Sequence, residues 1–186
     1  AAKKLIAVLG STGAQGGGLA RAILADKSGE FAVRAVTRKA DSEKARALQG
    51  AGAEVVAADL DDADSLRHAF EGAHGVFCVT SYWEHFSADK EIEQARNMAK
   101  AAKQAGAKHA IWSTLEDVRK FYPLSDERMP TIDGKWKCPH FDGKGEADRY
   151  FVESGVPTTF LMASFYWENF IFFGSGPKPG PDGTLA

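Results

Sequence analysis

The stretch VLGSTGAQGGGLARAIL, residues 8–24, sets glycines three residues apart, Gly10, Gly13 and Gly16, between an apolar run and a helix-like run. No other part of the chain constrains the fold as much. A strand that ends in a tight turn and passes directly into a helix is the start of a βαβ unit. Gly10 permits the turn, Gly13 lets backbone N–H groups approach a pyrophosphate, and Gly16 lets the helix pack closely on the strand. The helix N-terminus adds a favourable place for an anion. The spacing alone fits any flexible glycine-rich turn. Its place between the first strand signal and a helix signal makes it a dinucleotide-binding candidate.

The same alternation continues along the chain. Apolar runs at 4–10, 31–38, 53–60, 74–81, 108–114 and 157–164 read as strands, and 16–28, 41–52, 62–73, 87–106 and 143–155 read as helices. Leu19, Ile23 and Leu24 share one face of the first helix. The second helix starts at Asp41 or Ser42 and stops at Gly50 or Gly52. Alternating strands and helices predict an α/β Rossmann-type fold, a doubly wound parallel sheet with helices on both faces. Residues 1–173 are expected to form the dinucleotide-binding domain. The Gly/Pro-rich tail, 174–186, reads as a linker to a C-terminal lobe truncated from this sequence. Segment 116–141 breaks the rhythm with prolines, charges and aromatics, and long loops of that kind are usually functional or disordered. It is expected to be mobile and to order on ligand binding, changing a partner surface.

Composition serves mainly to exclude. A net charge of -2 gives no basic footprint, so no direct nucleic-acid partner is expected. Cys78 and Cys138 lack metal-type spacing and fit a reducing compartment; a disulfide between them stays open. No metal site is expected. The start, AAKKLIAVLG, runs into a strand without a signal-peptide pattern. The late apolar stretch 160–174 is interrupted by Glu168 and Asn169 and falls short of the roughly 20 residues a membrane span needs. The expectation is a cytoplasmic protein with no membrane partner, the nucleus remaining a second location.

The strand tips choose the nucleotide. An NAD enzyme commonly carries an acid at the end of its second strand, to hold the ribose 2'-hydroxyl. This chain has Arg38 and Lys39 there, and Arg can hold a 2'-phosphate through charge-assisted hydrogen bonds, helped by Thr37. NADP(H) is therefore preferred over NAD(H). Asp59 and Leu60, after the third strand, would lie beside the adenine, while Asp61 and Asp62 start the next helix. Thr80, Ser81 and Tyr82 fall at the carboxyl edge of the sheet, where open α/β folds bind ligands.

Six stretches, GSTGAQGG, AVTR, GAEVVAADLDD, VTSYWE, HFDGKGE and GVPTTFLMASFYWENF, resemble the NmrA-like proteins, atypical members of the short-chain dehydrogenase/reductase superfamily. The resemblance runs from Lys3 to about Asp182, and its look is that of the eukaryotic NADPH redox-sensor type. It implies an NADP(H) binder that regulates rather than catalyses; fungal relatives act on a GATA-type transcription factor. The implied partners are the dinucleotide and a regulatory protein, a transcription factor or an enzyme, with a homodimer left open. The implied cofactor contacts are Gly10, Ser11, Thr12, Gly13, Ala14, Gln15 and Gly16 in the glycine turn, then Arg38, Asp59, Thr80, Ser81, Tyr82 and Lys144. The segment Tyr166, Trp167, Glu168 and Asn169 completes them. Glu93 stands where the sensor type has a basic residue, which questions one nicotinamide-side contact.

Short-chain reductases work with Tyr-x-x-x-Lys, the Lys charge favouring the phenolate. Here Lys144 has His140, not Tyr, four positions before it. Three readings follow. Catalysis is lost and Lys144 remains as a cofactor clamp, which is the reading preferred. His140 acts as an acid, although a neighbouring lysine would lower its pKa and leave little acid at neutral pH. Or Lys144 works alone, as reductases of the isoflavone-reductase kind suggest. In the alternative function, an NADPH-dependent reductase of a small carbonyl or quinone-like substrate, Lys144 and Ser113 or Thr114 carry the chemistry. The plain reading of His140 is a loop residue packed on Trp136. Tyr122 and Tyr150 lack a lysine four positions on. Phe165, Phe170 and Phe173 read as core, Tyr166 and Asn169 as polar handles at the site, and residues 82–86 as lid or packing.

Overall fold

The computed structural model describes residues 2–172, 174 and 176–184. The β-branched apolar runs form six strands: β1 Lys4–Val8, β2 Phe31–Thr37, β3 Glu54–Ala57, β4 Gly75–Cys78, β5 His109–Thr114 and β6 Thr158–Met162. All pair in parallel, in the order β3-β2-β1-β4-β5-β6. That is the strand order of the doubly wound fold, whose ligand crevice lies where the order reverses, between β1 and β4. The connections carry α1 Ala14–Ala25, α2 Glu43–Gly50, α3 Ala63–Phe70, α4 Ala88–Gln104 and α5 Pro139–Ser154, and a short α6, Asn169–Phe172, follows β6. The Rossmann-type expectation holds.

Side chains alternate across the sheet and build two cores. Val8, Val33 and Phe77 meet Ala20 of α1 and Leu48 of α2, with Leu19, Ile23 and Leu24 packed against them. On the other face Leu9, Val36 and Trp112 meet Leu66 and Phe70 of α3, Met98 of α4 and Phe151 of α5. Trp112 and Phe151 stack with ring centroids 5.0 Å apart. Burying large side chains on both faces makes the strands near-continuous apolar runs, the pattern expected of a parallel sheet.

Each strand is shorter than its apolar run. Leu9, Asp59, Leu60, Thr80 and Ser81 leave the ladder and become loop at the carboxyl edge. Periodicity marks burial, not where pairing stops. Ser42, rather than Asp41, caps α2, its hydroxyl accepting from Ala45 N at 3.3 Å. Asp62 caps α3, accepting from Asp64 N and Ser65 N. Asp61 does not start that helix as expected. Its Oδ1 instead accepts from Gln94 Nε2 at 3.0 Å and pairs with Lys90 at 2.9 Å.

Segment 116–141 departs furthest from expectation. The buried Lys137 ammonium donates to Asp126 O (2.7 Å), Met129 O (2.7 Å) and Thr131 Oγ1 (2.9 Å). The buried Asp142 carboxylate accepts from Val118 N at 2.9 Å, Lys137 N at 2.7 Å and Cys138 N at 2.9 Å, joining both ends of the segment. Lys137, one of the charges that made the stretch look mobile, turns inward, and Asp142, just beyond it, ties its two ends together. Asp142 also starts α5 at Pro139, so His140 lies in a helix turn rather than a loop. Its ring centroid sits 5.5 Å from Tyr82, 5.1 Å from Trp83 and 4.9 Å from Phe141, and Trp136 is flanked instead by Arg119 and Lys135.

Phe165 and Phe170, expected in the core, are 53% and 43% exposed; Phe173 lies outside the described residues. They follow β6, the edge strand, and pack on each other with centroids 5.2 Å apart. Both cysteines are free. Among the described residues, no helix is long and apolar enough to cross a membrane, and no cluster of His, Cys, Asp or Glu could hold a metal.

Candidate dinucleotide cleft

At the carboxyl edge of β1 to β4 the chain leaves a cleft of about 430 Å³. Its floor is the glycine turn. Gly10 has φ +60°, and a Cβ there would press on Val79 at 3.1 Å. Gly13 N donates to Gly10 O at 2.8 Å, closing the turn. A Cβ on Gly16 would fall 2.6 Å from Gly10 O, so only glycine lets α1 approach β1 this closely. Gly10 makes the expected turn and Gly16 the expected close approach of α1 to β1.

The start of α1 differs from its neighbours. α2, α3 and α4 are each capped by a side chain, Ser42, Asp62 and Ser87, and carry an acid in the first turn. α1 begins after Gly13, with no side-chain cap and no acid. Its first N–H groups, at the positive end of the helix dipole, have no side-chain acceptor. Gly13, Ala14, Gln15 and Gly16 all line the cleft.

At one end stand the tips of β2 and β3. Thr12 and Thr37 approach hydroxyl to hydroxyl at 3.5 Å. Arg38 lines the cleft and pairs with Glu84, Nη2 to Oε2 at 2.7 Å, Glu84 lying in a 3₁₀ turn, Tyr82–Glu84, after β4. Asp59 and Leu60 also line it. The Asp59 carboxylate is turned back onto its loop, accepting from Asp61 N at 3.0 Å. Asn97 holds Leu60 O at 3.0 Å and Gln94 holds Asp61, which pins this loop to α4. Burial opposes the Asp61 charge, but the hydrogen bonds from Lys90 and Gln94 prevail and hold its carboxyl below the ordinary value.

The other end is built from β4, β5 and α5. Ser113 Oγ donates to Gln15 Oε1, and Gln15 Nε2 donates to Tyr166 Oη, both at 2.6 Å. This bridge fastens the segment after β6 to the glycine turn. Thr80, also on the wall, donates to Glu91 Oε1 at 2.7 Å and accepts from Lys144 Nζ at 2.7 Å. Lys144 further reaches Ser113 O at 3.3 Å and Glu91 Oε1 at 3.5 Å. Burial lowers the Lys144 pKa, and the Glu91 charge pulls it back up.

The expected site thus divides. Gly10, Thr12, Gly13, Ala14, Gln15, Gly16, Arg38, Asp59, Leu60, Thr80, Ser81 and Tyr166 share one cleft wall. Ser11 does not reach it, because its buried hydroxyl donates to Val36 O at 3.0 Å and pins the turn to β2. Lys39 is exposed beyond the tip of β2. Tyr82 turns edge-on to Trp83 and Phe86. Lys144 lies beneath Thr80, not on the wall. Thr114 faces α5, donating to Asp148 Oδ1 at 2.6 Å, where burial raises the carboxyl pKa. Trp167 is 82% exposed, Glu168 lies in the turn into α6, its O accepting from Ile171 N and Phe172 N, and Asn169 is the first residue of α6. Glu93 is exposed and pairs with Lys90 at 3.7 Å, away from the wall. The imidazole of His140 is pushed below its ordinary value chiefly by burial, with Lys144 a smaller contribution and Glu91 and Asp142 opposing.

Sequence reasoning missed Asp61 and Gln94 on the wall, and it read Trp83 and Glu84 only as part of the 82–86 stretch, lid or packing. Trp83 and Glu84 sit in the VTSYWE stretch, directly after the expected strand tip. Gln94 carries no signal beyond its place on the inward face of α4.

The sequence profile of the NmrA-like family matches residues 2–184. FrzB, a NmrA-like family domain-containing oxidoreductase of Cladobotryum sp, is 40% identical over 195 residues, covering 98% of this chain and 54% of FrzB. The crystal structure of Nmra, a negative transcriptional regulator, matches at TM-score 0.74 and 29% identity, covering 99% of this chain and 53% of Nmra. Nmra has also been solved with NADP (TM-score 0.70, 30% identity, 98% and 53% coverage) and with NAD (0.72, 28%, 98% and 53%). The NADPH complex of the quinone oxidoreductase QOR2 from Escherichia coli matches at TM-score 0.66 and 26% identity, covering 90% of this chain and 50% of QOR2. The chain spans about half the length of the curated relatives it matches.

Proposed function

The chain belongs to the NmrA-like family, and from that premise we propose that its cleft binds NADP(H) in preference to NAD(H), as a signal to be read rather than a reagent to be turned over. The observation that carries the binding is the start of α1. Its N–H groups line the cleft with no side-chain cap and no acid, while α2, α3 and α4 have both. A dinucleotide pyrophosphate supplies the acceptors that this helix end lacks. Arg38, on the same wall, supplies the cation for a 2'-phosphate. The complexes of Nmra with NADP and with NAD support a dinucleotide in this cleft.

The regulatory reading rests on the far end of the cleft. A reductase needs a proton donor facing the hydride acceptor. The position expected to hold that tyrosine is His140, packed among Tyr82, Trp83 and Phe141 and off the wall. Lys144 is committed to Thr80, Ser113 O and Glu91. In this reading Lys144 shapes the wall through the Thr80 hydroxyl.

The reductase reading keeps one observation in its favour, the relay Ser113–Gln15–Tyr166, which ends in a phenol on the wall. Its substrate would be a small carbonyl or quinone. Titration calorimetry with NADPH and NADH tests the binding, and equal affinities would remove the role given to Arg38. Steady NADPH oxidation over a carbonyl and quinone panel, lost in Lys144→Ala, would replace the sensor with the reductase. A silent panel with intact NADPH binding supports the sensor.

A further inference from the structure

Arg38 is not waiting free for a phosphate. Its guanidinium is held by Glu84 at 2.7 Å, and both residues line the cleft. Arg38 sits at the tip of β2, and Glu84 lies beyond the tip of β4. In the strand order β1 lies between β2 and β4, so the ion pair bridges two strand tips over the glycine turn that follows β1. We propose that Glu84 is a specificity-determining residue: its carboxylate competes with the nucleotide 2'-phosphate for Arg38, so that a phosphorylated dinucleotide must break the bridge while an unphosphorylated one leaves it closed. The inference rests on the dinucleotide reading and says how that site chooses between two forms of its ligand.

The pair is cheap to open, because the two side chains are 59% and 50% exposed, and exposed pairs contribute little. The displacement is like for like, since a phosphate monoester presents the same oxygen geometry to the guanidinium with more charge. The displaced carboxylate cannot stay beside the phosphate, because like charges that close repel. Glu84 is the third residue of the Tyr82–Glu84 turn, and its neighbour Trp83 also lines the cleft and lies 5.1 Å, centroid to centroid, from the His140 ring. Opening the bridge therefore frees the last residue of a turn whose aromatics pack on α5. An unphosphorylated dinucleotide makes no demand on Arg38 and leaves that turn tied.

The test is a pair of calorimetric titrations, NADPH and NADH, on the wild type, Glu84→Gln, Arg38→Gln and the double variant. Glu84→Gln keeps the shape and removes the competing charge at an exposed position. The expected result is NADPH binding about 3- to 5-fold tighter in Glu84→Gln, with NADH changed less than about 2-fold. The gain must vanish in the Arg38→Gln background, since without Arg38 there is nothing to compete for. NADPH binding that is unchanged or weaker in Glu84→Gln, with the wild type still binding dinucleotide, overturns the competition and leaves the binding reading standing. A wild type that binds neither nucleotide overturns both.

Discussion

Two cation–carboxylate pairs stand at opposite ends of the cleft, and burial makes them different devices. Arg38–Glu84 joins two side chains that are 59% and 50% exposed. Lys144–Glu91 joins side chains that are 11% and 0% exposed, at a longer 3.5 Å, with Thr80 bonded to both. Water solvates the first pair whether open or closed, so a ligand can exchange for either partner. The second has no water to fall back on; opening it would strand a charge in the core. One cleft thus carries an exchangeable contact for ligand choice, between the tips of β2 and β4, and a fixed one, between α4 and α5, that sets the wall.

The largest effect should come from breaking the fixed end. Glu91→Ala leaves the Lys144 ammonium buried without its counter-charge and should cost about 3–5 kcal/mol of folding stability by urea titration. A loss below about 1 kcal/mol would mean that this pair behaves like the exposed one. Next is the exchangeable end. Arg38→Ala should weaken NADPH by roughly 10- to 100-fold, the worth of charge-assisted hydrogen bonds to a phosphate, and leave NADH and the urea midpoint nearly unchanged. A comparable loss for both nucleotides would make Arg38 a general binding residue.

Gln15→Leu should be smaller, about 1–2 kcal/mol of stability, because it leaves the buried Ser113 hydroxyl without its acceptor and frees Tyr166. The smallest effect is one of pH. Burial holds the His140 pKa below its ordinary 6.5, so between the two values the unfolded chain binds the proton and the folded chain does not. The stability tied to neutral His140 is full above pH 6.5 and is lost as pH falls through the lowered value. His140→Gln should flatten the dependence of Tm on pH from about 7.5 to 5. An unchanged slope would place the acid sensitivity elsewhere.

Much of the frame was legible in the sequence because local signals carry it. The glycine turn is a contiguous motif: Gly13 and Gly16 face the backbone of Leu9 and Gly10, and Gly10 takes a positive φ, while its contact with Val79 comes from the fold. The strands were legible as apolar runs with glycine and polar stops. What failed depends on distance. The start of α5 was set four residues late because Asp142 is held by Val118 N, 24 residues away. Segment 116–141 looked mobile because its charges read as solvated, and nothing local reveals that Lys137 turns inward. Phe165 and Phe170 looked like core because periodicity shows a face, not what covers it. Lys144 stood out as a cofactor contact, but its partner Glu91 sits on another helix, and that burial places the ammonium behind Thr80 and off the wall. Glu84 was read only within the 82–86 stretch, because a surface carboxylate has no partner in sequence until the fold sets it opposite Arg38.

If one ion pair yields to the ligand while the other does not, a crystal structure of the protein with NADP+ will record both. The pyrophosphate should lie at the start of α1 and the 2'-phosphate on Arg38 with Glu84 released, Lys144 staying bonded to Thr80 and Glu91. A 2'-phosphate bound away from an intact Arg38–Glu84 pair, or Lys144 drawn off Glu91 onto the cofactor, would contradict this.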